Sequence, residues 1–420
     1  MAKRASERGY MTPDEDDIVR TLFAKYLTSR AALIQTIEDL RPLATREVNK
    51  QNPDYPEVFI VSYAAACLLM RAGYLLVDTF RKDAIVVKKL NEAEPRFGIP
   101  RKQFTKIYRS STSPLNVWGF LEASRYWDEN KALFKQQFEA DPVVKPILDL
   151  LESEGSQVEI SKRFYAASRF KYRLHSFLRR HHSGFKNVTF TLFKTSGRLV
   201  SEIQLQWFRK RKRVTPAVQK KLAGLLQPGD VIVTRHDDAA SNLFLPGFWP
   251  HAALYIGTEE QRAELGLLLS REQSSRSKNP VCVLEARKDG VLFRELSDTL
   301  SVDACTVIRP KLDSSKIREA LAQAISHEGK EYDFEFDFRR SDKLVCTEVV
   351  YRGFHNSGHF QFELSERAGR MCLSAEDLLD KAVDQSYFDI VAIYGVKGNR
   401  FATDSRAKEL LQSSYSFGSG

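Results

Sequence analysis

Residues 251–257, HAALYIG, and residues 281–290, VCVLEARKDG, decide the reading of the chain. Both are short apolar runs bounded by turn signals, the pattern of buried strands. The first opens on His251, straight after the turn-forming LPGFWP, and the second carries Glu285 near its end, before an Asp-Gly hairpin signal at Asp289-Gly290. If the two strands pair antiparallel, the start of one lies beside the end of the other. His251 and Glu285 then meet at one edge of a sheet. A carboxylate there can hold an imidazole in one tautomer and stabilise its charged form. A lone strand histidine is more often structural, and a strand-end glutamate is often a solvated edge residue; the pairing raises both above that.

The same pattern continues outward. Upstream lies GDVIVTR (229–235); downstream come VLFREL (291–296), CTVIRP (305–310) and YFDIVAIYG (387–395) as further strands. Between the last two, SSKIREALAQAISH (314–327) predicts a helix with Ile317, Ala320, Leu321 and Ile325 on one face. These elements describe an α+β domain over 226–398, with a disordered tail expected over 399–420, which ends SSYSFGSG.

Cys346 lies in RRSDKLVCTEVVYRGF (339–354), where Val349, Val350 and the Glu348–Arg352 spacing suit a helix and Ser341 and Asp342 suit the turn into it. A cysteine at a helix N-terminus gains from unpaired backbone N–H groups and the positive end of the dipole, both of which favour thiolate. The same N–H groups can receive a developing oxyanion. Cys67, within AAACLLM, reads instead as a buried small hydrophobe.

In chain order, GDVIVTR, HAALYIG, a strand ending LEARKDGV, YDFEFD and LVCTEVVY resemble the circularly permuted branch of the NlpC-like, papain-fold cysteine hydrolases, in particular the permuted YaeF/YiiX-like amidases. In that branch the histidine strand precedes the cysteine helix, as here. The resemblance spans about 226–395 and implies a permuted papain-like domain with an antiparallel sheet packed on helices. It also implies a triad of Cys346 as nucleophile, His251 as base and Glu285 as orienting acid. Asp230 and Asp333 match the pattern in structural roles. The family's Cys-Ser-Glu becomes Cys346-Thr347-Glu348 here, and Arg235 and His236 are the residues considered for a second oxyanion donor. The implied activity is hydrolysis of an amide or ester (acyl) bond through a thioester, with an amide or an acyl lipid as substrate and no cofactor or metal. An acyltransferase of the same fold, or an inactive protein that binds an anionic surface, are the alternatives.

Composition frames these motifs. The chain has 420 residues, 43% of them hydrophobic, room for two domains. Residues 1–225 read as a mostly helical domain. Pro13 with Asp14 to Asp17 suits a helix start. TSRAALIQTIEDLRPL (28–43) reads as a second helix, and PEVFIVSYAAACLLMRAGYLLVDTF (56–80) as a buried central helix rather than a membrane span. Further helices are expected over Pro114–Phe138 and Val143–Leu151, and GFKNVTFTLFKTSG (184–197) as a hairpin or mobile loop.

Five widely spaced cysteines match neither a disulfide framework nor a structural zinc site. With no apolar leader at the N-terminus, the expectation is a reduced, cytoplasmic compartment. The net charge of +10 is concentrated in 161–221, where seventeen Lys or Arg face the single acid Glu202 among many aromatic residues. That segment suits an anionic membrane surface, lipid being favoured over nucleic acid, so the protein is expected to be peripheral at a membrane at most.

Overall fold

The computed structural model describes residues 2–44, 55–155, 212–236, 248–367, 369–396, 398 and 400–415. Residues 161–211 of the basic segment 161–221, with the expected hairpin, lie outside the described residues. The chain divides into two compact units, Met1–Arg8 with Glu15–Lys186, and Gly9–Asp14 with Asn187–Gly420.

The first unit is helical. Helix α1, Pro13–Leu40, runs as one element where two were expected. Thr28, the first residue of the stretch read as a second helix, bonds its hydroxyl back to Ala24 O at 3.1 Å and sits within the helix. Helix α2, Tyr55–Phe80, packs one face (Ile60, Tyr63, Ala64, Cys67) against α3, Pro114–Phe138, and α4, Lys145–Gly155. Phe120, Trp127 and Phe134 from α3 and Leu148 and Leu151 from α4 complete that core. The interruptions at Ser62, Arg71 and Asp78 leave α2 long and apolar enough, by length and composition, to cross a membrane. In this unit it is a core helix on one face, with Leu75 exposed on another.

The second unit is built on a seven-stranded antiparallel sheet. In chain order its strands are β1 Val231–Arg235, β2 His251–Tyr255, β3 Val281–Arg287, β4 Gly290–Glu295, β5 Ala304–Pro310, β8 Phe388–Tyr394 and β9 Phe401–Thr403; two short strands, β6 Glu331–Tyr332 and β7 Lys343–Leu344, pair parallel outside it. The spatial order is β9-β8-β5-β1-β2-β3-β4. The strands read from sequence are all present. Their side chains alternate between two apolar layers, as a sheet covered on both faces requires. One layer holds Leu254, Leu284 and Ile308 with helix α6, Ser314–Ile325, and helix α7, Cys346–Phe354; the other holds Ile232, Tyr255, Val283 and Val307 with Leu222 of α5, Pro216–Ala223.

Two boundaries differ from the sequence reading. Val214 and Leu222 are buried in the second layer, and Tyr10 in the first, so this unit takes in residues ahead of 226. The tail expected to be disordered from 399 forms β9 and then helix α9, Asp404–Ser414, whose Ala407 and Leu411 are fully buried. An Ala and a Leu four apart make a helical apolar stripe that the polar composition of the final residues hides.

Candidate active site

His251 is the first residue of β2 and pairs with Thr234 of β1. The β2–β3 register, Leu254 with Leu284 and Tyr255 with Val283, carries His251 to a position diagonal to Glu285 on one face. Their side chains meet: Nε2 of His251 lies 2.5 Å from Oε1 of Glu285. The antiparallel neighbour relation read from the sequence is therefore what the strands adopt.

Glu285 is 1% exposed and its carboxylate is fully engaged. Besides His251, its second oxygen accepts from the Thr299 hydroxyl at 3.0 Å and pairs with Arg287 at 2.9 Å and Arg294 at 3.5 Å. Burial alone would raise its pKa, but the bond to His251, that residue's charge and Arg287 bring it down to about 2.

Cys346 starts α7, with Val345 as the extended cap residue, and is 5% exposed. With Nε2 of His251 on Glu285, Nδ1 is the ring nitrogen left for the thiol, and the two side chains are hydrogen-bonded. Burial pushes the Cys346 thiol up; the imidazolium and the N–H groups of Ala252 and Thr347, all directed at the sulfur, outweigh it and leave the pKa lowered. His251 moves the opposite way. Burial would lower it, yet Cys346 and Glu285 together raise it to about 10. The two shifts describe one thiolate–imidazolium pair backed by a carboxylate.

Several elements hold this arrangement. The turn before His251 is fastened from three sides. The Phe248 and Trp249 N–H groups donate to Glu376 at 2.6 and 3.4 Å, Trp249 Nε1 donates to Ser414 of α9 at 2.9 Å, and Arg235 donates to Phe248 O at 2.8 Å. The Arg235 guanidinium also lies over the Phe248 ring, at 4.4 Å. Arg235 thus serves the turn, not an oxyanion. The segment leading into α7 is held by buried charge: Arg352 pairs with Glu348 at 2.8 Å and donates to Arg340 O, while Lys330 Nζ donates to Ser341 O at 2.6 Å.

The two aspartates have structural surroundings. Asp230 accepts from Gln227 N and pairs with Arg309, and Asp333 accepts from the N–H groups of Glu335 and Asp337. Sequence reading missed Lys330, Thr299 and Glu376. Each is a polar side chain whose partner is distant in sequence or is a backbone atom, so no spacing marks it. Among the remaining cysteines, burial raises the thiols of Cys67, Cys282, Cys305 and Cys372.

No curated protein and no solved structure matches the chain. One family model does. Residues 225–411, the part of the chain that contains the sheet, Cys346, His251 and Glu285, match the permuted papain-like amidase enzymes of the YaeF/YiiX, C92 family, and that part has the permuted papain-like fold.

Proposed function

We propose that the protein cleaves an amide or ester acyl bond through a thioester, with Cys346 as nucleophile, His251 as general base and acid, and Glu285 as the residue that orients the imidazole. The observation that carries this reading is the unbroken contact Glu285–His251–Cys346, ending on a thiol at the start of a helix.

The steps follow from that contact. The Cys346 thiolate attacks the carbonyl carbon, and the negative charge moves to the carbonyl oxygen. The N-terminus of α7, whose Thr347 N–H is directed at the sulfur, supplies the positive end of a dipole that can stabilise the oxyanion. As the tetrahedral species collapses, His251 gives its proton to the leaving nitrogen or oxygen and the C–N or C–O bond breaks. Water then attacks the thioester carbonyl, passes a proton to the neutral imidazole, and releases the acid and the Cys346 thiolate. Glu285 stays ionised throughout, as its buried, fourfold-engaged carboxylate favours. Its bond to Nε2 keeps Nδ1 aimed at sulfur in both protonation states of the ring.

The test is rapid-quench mass spectrometry with an activated acyl ester. Acylation of Cys346 that hydroxylamine removes, with turnover abolished in Cys346→Ala, is the expected result. Turnover surviving in Cys346→Ala would refute the assignment.

A further inference from the structure

The segment between β6 and β7 brings three aromatic rings beside the nucleophile. Tyr332 pairs in parallel with Leu344, two residues before Cys346, so its side chain stands at the entry to α7. The Phe334 ring lies edge-on to Tyr332 at 5.0 Å between centroids, and the Phe336 ring lies edge-on at 6.0 Å. All three are only half-buried, unlike the neighbouring Phe338, which is 1% exposed. The Tyr332 hydroxyl sits within the field of the site: burial, with the charges of Cys346 and Asp333, holds its pKa well above the usual phenol range.

The backbone that presents these rings is over-determined. The Asp333 carboxylate accepts from two N–H groups of the loop, Phe336 N donates to Asp333 O at 3.3 Å, and Phe338 N is held by Met371 O at 3.0 Å. Within it, Phe336 has φ of +52°, a region that bulky residues seldom occupy. Such a conformation persists when surrounding bonds enforce it, and it collects at functional sites. A glycine would relax that position; the phenylalanine there is half-buried, with part of its ring against the core and part exposed.

We propose that Tyr332, Phe334 and Phe336 form a wall that receives the acyl portion of the substrate and selects amides or esters whose acyl group is apolar. The proposal rests on the hydrolase reading above. After the first step only the acyl group remains bonded to Sγ, so a wall beside the sulfur throughout the cycle acts on the acyl side. Three rings in edge-on contact offer apolar surface to an acyl chain, and the Tyr332 hydroxyl leaves one donor near the carbonyl.

The experiment uses the full chain and p-nitrophenyl esters from acetate to decanoate, the leaving group held constant and each rate divided by the uncatalysed one. The ratio of kcat/KM for octanoate over acetate should exceed about tenfold in the wild type, as contacts of several methylenes in an apolar site provide. Phe334→Ala and Phe336→Gly should each reduce that ratio severalfold. Phe336→Gly matters because glycine accepts the positive φ and adds no backbone strain, and thermal unfolding of the variant separates a lost wall from a lost fold. A flat chain-length series with hydrolysis intact would overturn the wall while leaving the hydrolase reading standing. A steep series unchanged in both variants would also overturn it. If no ester is turned over and no acyl group is found on Cys346, both readings fall together.

Discussion

Each of the two compact units buries a cluster of charges, and the clusters are alike except in their last member. In the helical unit, Arg20 is surrounded by Asp16 at 3.3 Å, Glu92 at 2.5 Å and Glu94 at 3.8 Å, and Lys89 shares Asp16 and Glu92. In the other unit Glu285 is met by Arg287, Arg294, Thr299 and His251. Both sets satisfy buried carboxylates with cations and donors, as burial demands. The first set continues through Glu94 to Arg96 and Asp17, and all of these are groups charged at neutral pH in ordinary circumstances. The second passes through an imidazole to a thiol, two groups whose protons can move near neutral pH. Buried charge by itself therefore marks rigidity; a site requires that the network end on a titratable nucleophile.

This contrast can be broken most directly at the sulfur. Cys346→Ala should lower kcat/KM for an activated acyl ester by roughly 10⁴-fold or more, the scale for removing a nucleophile from a unit that acts together. A steady-state assay on the purified variant checks this, and residual activity within tenfold of wild type would refute it. Next, the wild-type thiol should react with iodoacetamide at pH values well below the ordinary cysteine range of about 8.5. Cys346 should be the first of the five cysteines to label, because burial raises the other four. In His251→Ala burial is no longer opposed by an imidazolium, and labelling of Cys346 at pH 7 should drop by about tenfold or more, measured by peptide mass spectrometry.

The helical cluster should respond in the opposite sense. Arg20→Met leaves Asp16 and Glu92 to Lys89 alone and Glu94 to Arg96, and should cost about 3 kcal/mol in chemical denaturation. It should leave the alkylation rate of Cys346 unchanged. Altered thiol reactivity in that variant would erase the distinction between the two clusters.

Glu285→Gln tests orientation instead of charge supply, and should lower kcat by roughly 100-fold with smaller change in KM. It also has a pH signature. The folded pKa of Glu285 is about 2, below the ordinary value near 4.5, so its contribution to stability is present above that value and is lost as pH falls toward 2. His251, raised to about 10, contributes below about pH 6.5 and loses its part as pH climbs through 10. Thermal unfolding across pH should therefore lose part of its acid limb in Glu285→Gln and part of its alkaline limb in His251→Ala.

The smallest effect belongs to the basic segment, for which we propose docking on an anionic lipid surface. Neutralising Arg209–Arg213 should weaken co-sedimentation with anionic liposomes severalfold at low salt, each cation near such a surface contributing on the order of 1 kcal/mol before screening. Preference for duplex DNA over liposomes in direct competition would reverse the choice of partner.

The site was legible because its members obey local rules. His251 and Glu285 sit at complementary ends of two apolar runs, and antiparallel pairing brings such ends together. Cys346 opens a run with helical spacing, Glu348 four residues before Arg352, and the structure buries that pair at 2.8 Å. What escaped notice depends on contacts that no window of sequence contains. Trp249 finds Ser414 across 165 residues, and Lys330 donates to a backbone carbonyl. The tail was misread because Ser and Gly after residue 412 dominate its composition, while two buried side chains, Ala407 and Leu411, decide its fold. The single long helix at Pro13–Leu40 was divided at a threonine whose hydroxyl the helix itself accommodates.

The order of the elements also sets a timetable. Because β2 precedes α7 by almost a hundred residues, a ribosome delivers the base before the nucleophile. Ser414, which anchors the turn ahead of that base, follows both. A nascent chain arrested short of Cys346 carries no thiol for the imidazole to ionise, and one arrested short of Ser414 carries a histidine whose turn lacks one of its anchors. The reactive sulfur is thus assembled only after most strands of the sheet that shields it have been made, which limits the time an activated thiolate spends exposed to other chains in the crowded surroundings of translation.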